Sequence, residues 1–182
     1  PDRYQEAIEL AAKAGYDAII VDSMSHEHRG AGGVLDWHET ELQRMAGDDW
    51  KKRGAMTFAA WIKPKTAHKT MIDRLLHVKA HLIFCLRAEP KVKMVKNDRG
   101  KTEPIDQGFQ PICDSQFMFE MTASFMLSPD IPGTFRPLKL EEQHRPFVGQ
   151  RITVEAGQQF GAWAKGGAKS PSPAARVEPQ PA

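Results

Sequence analysis

The sequence predicts an α/β fold in which two parallel strands, joined through helices, precede a set of antiparallel strands. Three observations carry this expectation. Asp17-Ala18-Ile19-Ile20-Val21-Asp22-Ser23 and His81-Leu82-Ile83-Phe84-Cys85-Leu86 are short apolar runs that end in polar residues, the second at Arg87. Runs this short and uniform read as strands buried on both faces, the usual state of parallel strands between helical layers. The chain between them has helical spacing, and a helical crossover makes the strands it joins parallel neighbours. Beyond Arg87 the apolar period shortens to two, the pattern of strands with one buried face.

In order along the chain, Tyr4 to Ala14 forms a short helix with Tyr4, Ile8 and Ala11 on one side. Gly15 stands where a left-handed helix end is favoured. The first strand follows, and Ser23 to Gly33, SMSHEHRGAGG, reads as a polar loop. Val34 to Met45 returns to helical spacing through Leu35, His38, Leu42 and Met45. Phe58 to Ile62 is an apolar patch interrupted by Pro64. Ala67 to Val78 is the clearest helix, with Met71, Ile72, Leu75 and Leu76 as its inner face. After the second strand, Lys91 to Val95 and Lys101 to Ile105 flank Asn97-Asp98-Arg99-Gly100, the turn of a hairpin. Phe117 to Leu127 has the cleanest two-residue period, and Pro129 to Gly133 turns it into a shorter strand around Phe135 to Leu140. A last helix covers Val154 to Ala164. From Lys165 to Ala182 the Gly, Ala, Ser and Pro content is too high to bury a core, so residues 165–182 are expected to be a disordered tail.

A chain of 182 residues can enclose one sizeable core. Its net charge of +2 gives no whole-chain preference for nucleic acid, so any such contact depends on local clustering. The two cysteines, Cys85 and Cys113, are too few for a disulfide framework and read as free thiols in a reducing compartment. Neither a secretory segment nor a bilayer-spanning run occurs, which makes a cytoplasmic protein without membrane contact the expectation.

Ala18-Ile19-Ile20-Val21-Asp22-Ser23 has the pattern of a Walker B strand, whose aspartate would sit at the carboxyl end of the sheet, where open α/β folds place their ligands. With the continuation AIIVDSMSHEHRGAGGVLDWHETEL, from Ala18 to Leu42, and HLIFCLRAEPKVKM, from His81 to Met94, the chain resembles the RecA-like branch of P-loop ATPases. Within that branch it looks more like the phage-encoded ATP-binding proteins, some of which act beside single-strand annealing proteins in recombination. A weaker similarity runs from Leu138 to Gly167. The resemblance implies a RecA-like three-layer sheet, with residues 1–164 forming the carboxyl-terminal part of the ATPase domain. It further implies ATP and magnesium as ligands, a role in phage DNA recombination, replication or repair inside the bacterial host, and is compatible with a homo-oligomer. No GxxxxGK[ST] occurs in these residues; Gly30 to Gly33 and Gly166-Gly167 lack the lysine and hydroxyl of a phosphate loop. These residues alone are therefore expected to be inactive.

Carried over residue by residue, Asp22 would hold magnesium through water, beside Ser23 at the nucleotide. Glu27 would position the attacking water; otherwise it is a solvated loop residue. Arg87 stands where RecA-like proteins carry a polar sensor, and its guanidinium could contact a terminal phosphate. A glutamine is the family's residue there, and an ion pair of Arg87 with Glu89 or Asp22 is the alternative. Lys91, Lys93, Lys96, Arg99 and Lys101 place five positive charges in eleven positions, suited to phosphate contacts along single-stranded DNA or to keeping a hairpin edge unpaired. Two further readings stay open: a zinc-dependent hydrolase using His26, His28 and His38 with Asp22 and Glu27, and a non-catalytic nucleic-acid-binding or assembly module.

Overall fold

The computed structural model describes residues 1–98, 100–134, 136–138 and 149–165. The chain divides into two compact units, Pro1–Phe117 and Met118–Ala182.

In the first unit the order is α1 (Asp2–Lys13), β1 (Ala18–Asp22), α2 (Ser25–Arg29), α3 (Val34–Ala46), α4 (Trp50–Ala60), α5 (Ile62–Leu75), β2 (His81–Cys85), β3 (Ala88–Lys96) and β4 (Thr102–Pro111). Helix α1 ends as its sequence requires, with Gly15 at φ +87°, a region that costs glycine nothing. β1 and β2 pair in parallel, Ala18 beside His81 through Asp22 beside Cys85, so the helical crossover does make them neighbours. The core is built around Ile8, Met24, Val34, Leu42, Met71, Ile72, Leu75 and Phe117. Phe84 of β2 meets Phe117 edge to face, with centroids 5.2 Å apart. α1 packs on both β1 and α5.

Several sequence expectations are corrected. The strands are not buried on both faces. Ile19, Val21, Leu82 and Phe84 are half-buried, while Ala18, Ile20, Asp22, His81, Ile83 and Cys85 share an exposed face. Ile20 is 66% exposed and Ile83 49%. The alternation is that of a sheet packed on one face only, since successive side chains point to opposite faces. The polar loop after β1 contains a helical turn, α2. The patch around Phe58 belongs to α4, which the sequence reading missed. Its start is fixed by Asp49, whose Oδ1 accepts from the Lys51 and Lys52 amides at 3.0 and 3.1 Å. α5 begins earlier than the spacing from Ala67 suggests, because Pro64 lies in its first turn, where a missing N–H costs nothing.

The hairpin is formed by β3 and β4, longer than expected and bulged between Pro90 and Val92. Its turn closes with the Asn97 amide donating to the Lys101 carbonyl and the Lys101 amide to Asn97 Oδ1.

In the second unit, β5 (Phe125–Met126) pairs with β6 (Arg136–Pro137), and α6 spans Val154–Ala164 as its spacing predicts. Thr153 Oγ1 caps it by accepting from the Ala156 amide. The long strand expected over Phe117 to Leu127 is absent; a 3-10 turn, Phe117–Glu120, and the short β5 stand there instead. Asp114 explains the difference. Its Oδ1 accepts from the Gln116 amide and its carbonyl from the Phe117 amide, so a local turn outcompetes the ladder. Half of the strand around Phe135 to Leu140, residues 139–148 and 166–167 of the similarity between Leu138 and Gly167, and residues 166–182 of the tail lie outside the described residues.

Candidate functional site

The first unit gathers its chemistry at the carboxyl ends of β1 and β2. The chain leaves β1 through Asp22 and Ser23, whose connecting peptide bond is cis. The Met24 amide donates to the Cys85 carbonyl at 2.9 Å, and the Arg87 amide donates to Ser25 Oγ at the same distance. Two backbone-directed hydrogen bonds therefore fasten the start of α2 to the end of β2.

Asp22 is exposed, and among the described residues its carboxylate has no hydrogen-bond or ion-pair partner. Arg87 is exposed and its guanidinium is likewise unpaired among them. The ion pair considered for Arg87 does not form with either acid. Glu89 is taken by Arg29, whose Nη1 and Nη2 reach its two oxygens at 2.6 and 2.8 Å. That pairing holds the Glu89 carboxyl below its usual range, chiefly through the hydrogen bonds from Arg29.

Glu27 is not a solvated loop residue. It is 2% exposed, and its Oε1 lies 2.9 Å from Nδ1 of the buried His68 on α5. A carboxylate only accepts, so the Nδ1 proton belongs to His68. Around this pair stand further polar groups. Tyr4 donates its hydroxyl proton to the Ser23 carbonyl at 3.1 Å. Burial, followed by the Glu27 charge, raises the Tyr4 phenol above its usual value. Burial pushes the Cys113 thiol up to about 11, with Asp114 and Glu27 adding to it. His28 is lowered, first by burial, against the opposing pull of Glu27 and Asp114. Its Nδ1 and the Ser23 hydroxyl are buried without a partner among the described residues.

The GAGG segment closes α2 onto α3 rather than cradling an anion. A Cβ on Gly33 would lie 2.7 Å from the Glu27 carbonyl and 2.8 Å from those of His26 and Gly30. Only glycine allows that approach.

Of the remaining sequence candidates, His26, His28 and His38 do not converge. His38 stacks on Trp61, centroids 3.9 Å apart, and its Nε2 donates to the Thr57 carbonyl at 3.2 Å, while His26 is exposed on α2. No group of three or more His, Cys, Asp or Glu side chains that could hold a metal occurs among the described residues. Lys91, Lys93, Lys96 and Lys101 are exposed on the hairpin, and Arg99 lies outside the described residues. The free thiols are as expected, Cys85 exposed and Cys113 half-buried.

His68 is the residue the sequence reading missed. The signal was present, since His68 precedes Met71, Ile72 and Leu75 at helical spacing and so falls on the buried stripe.

No protein-family model matches this chain, nor does any curated protein or solved structure. No helix among the described residues is long and apolar enough to cross a membrane.

Proposed function

We propose that this chain supplies the magnesium-facing part of a RecA-like ATP-binding domain that works on DNA in phage recombination, replication or repair. One observation carries the reading. Asp22 ends a parallel strand with its carboxylate exposed and unpaired, and Arg87 leaves the neighbouring strand with its guanidinium unpaired among the described residues. An acid and a fork-shaped cation held free at adjacent strand ends suit a hydrated magnesium ion and a terminal phosphate. Ser23 and Ser25 then act as frame, fixing the turn in which Asp22 sits. The reading requires a phosphate-cradling loop from outside these 182 residues, since none contains that motif.

Glu27 takes a different part from the one its position suggests. Sealed against His68, it orients α2 beneath the strand ends and does not face open solvent. Single-stranded DNA would follow the exposed lysines of the β3–β4 hairpin, touching phosphates without reading bases. The zinc reading has no comparable support, because His38 is engaged with Trp61 and Thr57.

The test is magnesium-dependent ATP turnover by the full gene product and its Asp22→Ala variant. Turnover should fall by two orders of magnitude or more, roughly the scale at which groups stabilising transferred charge act, with the melting temperature unchanged. Equal turnover in the folded variant removes Asp22 from the metal role.

A further inference from the structure

A second feature of the first unit stands apart from the strand ends. From Trp50 to Ile72 the chain carries six lysines and arginines and no aspartate or glutamate, within a protein whose net charge is only +2. This segment is α4 and α5 short of the last turn of α5, which adds Asp73 and Arg74. The link residue Trp61 is itself right-handed helical, at φ −73° and ψ −19°, so helical spacing continues across the junction. Trp50, Phe58 and Ile62 follow at intervals of eight and four, spread over about 120° of the helix surface at ~100° per residue, and all three are open to solvent. Trp50 is 76% exposed, Phe58 86% and Ile62 66%.

Two of the six cations are neutralised, Arg53 by Glu39 and Lys63 by Glu41. Lys51, Lys52, Lys65 and Lys69 remain exposed and without an ion-pair partner among the described residues. The nearest acids in sequence are Asp48, which accepts from Gln43, Asp49, which caps α4, and Asp73 beyond the segment. The cations are already aligned with rings: Lys51 Nζ lies 5.5 Å from the Trp50 ring centroid and Lys65 Nζ 5.6 Å from that of Trp61.

We infer that the outer side of α4–α5 is a binding site for single-stranded nucleic acid, separate from the strand-end site and from the hairpin. Exposed rings offer stacking surfaces to unpaired bases, and interspersed lysines neutralise the phosphates between them. Duplex DNA hides its bases and could use only the lysines. A membrane surface fits less well, because an interfacial helix needs a continuous apolar face. Here Lys51, Lys52, Arg53, Gly54 and Ala55 interrupt the apolar surface between Trp50 and Phe58. Trp50 and Phe58, eight residues apart, lie about 12 Å from each other along the axis at 1.5 Å per residue, which spaces them as separate platforms.

The inference does not rest on the ATP reading, and its test uses no nucleotide. Binding of fluorescein-labelled oligothymidylate to the full gene product is followed by anisotropy over a range of salt. The Trp50→Ala/Phe58→Ala variant should bind at least about tenfold more weakly with its salt slope kept, since stacking is uncharged. Lys51→Ala/Lys65→Ala/Lys69→Ala should lower the slope by about 2, at ~0.7 per phosphate contact. All five side chains are solvent-facing, so the melting temperature should stay constant. Three results overturn the inference: unchanged affinity and slope in both variants while a Lys91→Ala/Lys93→Ala/Lys96→Ala variant loses binding; equal aromatic dependence for single-stranded and duplex DNA; or loss of binding to phosphatidylserine vesicles with oligothymidylate binding intact. None of these bears on the Asp22 turnover experiment, so the two readings fail separately.

Discussion

The two faces of the β1–β2 sheet both carry large aliphatic residues and have opposite fates. Ile19, Val21, Leu82 and Phe84 turn inward and help close a core with Phe117. Ile20 and Ile83, their immediate neighbours, remain exposed together with Asp22 and Cys85. Parallel sheets are ordinarily covered on both faces, and alternation along an apolar strand is otherwise the mark of a polar outer face. Here two large aliphatic side chains, Ile20 and Ile83, lie on the open face beside Asp22 and His81. The candidate nucleotide-binding acid lies on that bare face, whereas the Glu27–His68 pair lies among the sealed groups. On the reading proposed above, the group that meets a ligand and the pair that holds the scaffold are thus divided between open and sealed sides of one small unit.

The sealed side should respond most strongly to mutation. Removing the imidazole in His68→Ala leaves the Glu27 carboxylate buried and unpaired, and breaking a buried pair in this way costs about 3–5 kcal/mol. Replacing both partners, in Glu27→Leu/His68→Leu, should recover most of that loss, because an apolar pair leaves no charge to desolvate. Urea denaturation of the two variants measures the difference. A His68→Ala cost below about 1 kcal/mol would show that Glu27 reaches water in solution and would weaken the contrast between the faces.

The sheet itself gives the next comparison. Phe84→Ala deletes a half-buried ring in contact with Phe117 and should cost about 2 kcal/mol, part of the full cost of a buried phenylalanine. Ile83→Ser, one position away on the bare face, should stay within about 0.5 kcal/mol. Similar losses at both positions would mean that something covers Ile83 in solution, and the open face would then be an interface.

How much of this could be read from residues follows from which signals were local. The parallel pairing, the hairpin turn and α6 depend on short patterns that tertiary context did not override. The bare face was not legible, since Ala18 to Val21 is apolar throughout and says nothing about what covers either side. α4 was missed because outward Phe58 and Ile62 imitate a buried patch, while the Asp49 cap that starts it is a single residue. The Phe117 to Leu127 alternation misled because Asp114, three residues before it, sets a competing turn. At the site, Asp22 and Arg87 stood out through their places after apolar runs. The Glu27–His68 pair joins residues 41 apart, so no local spacing reveals it.

The smallest effect expected concerns His28, which sits between the two sides: half-buried, with Nδ1 unsatisfied among the described residues. It faces Glu27, Asp114, His68 and Arg29, and burial outweighs the two acids, so its folded value lies below the ordinary ~6.5 of histidine. The unfolded chain therefore takes up a proton on His28 at a pH where the folded chain does not. Stability from this residue is complete above about 6.5 and declines as pH falls below it, until the folded form is protonated as well. His28→Gln keeps a polar side chain of similar reach but cannot titrate. Urea midpoints at neutral pH and at about one unit below 6.5 should differ less in the variant than in the parent chain. An unchanged difference would assign the acid sensitivity of this unit to other groups, and would place His28 in contact with water on the open side.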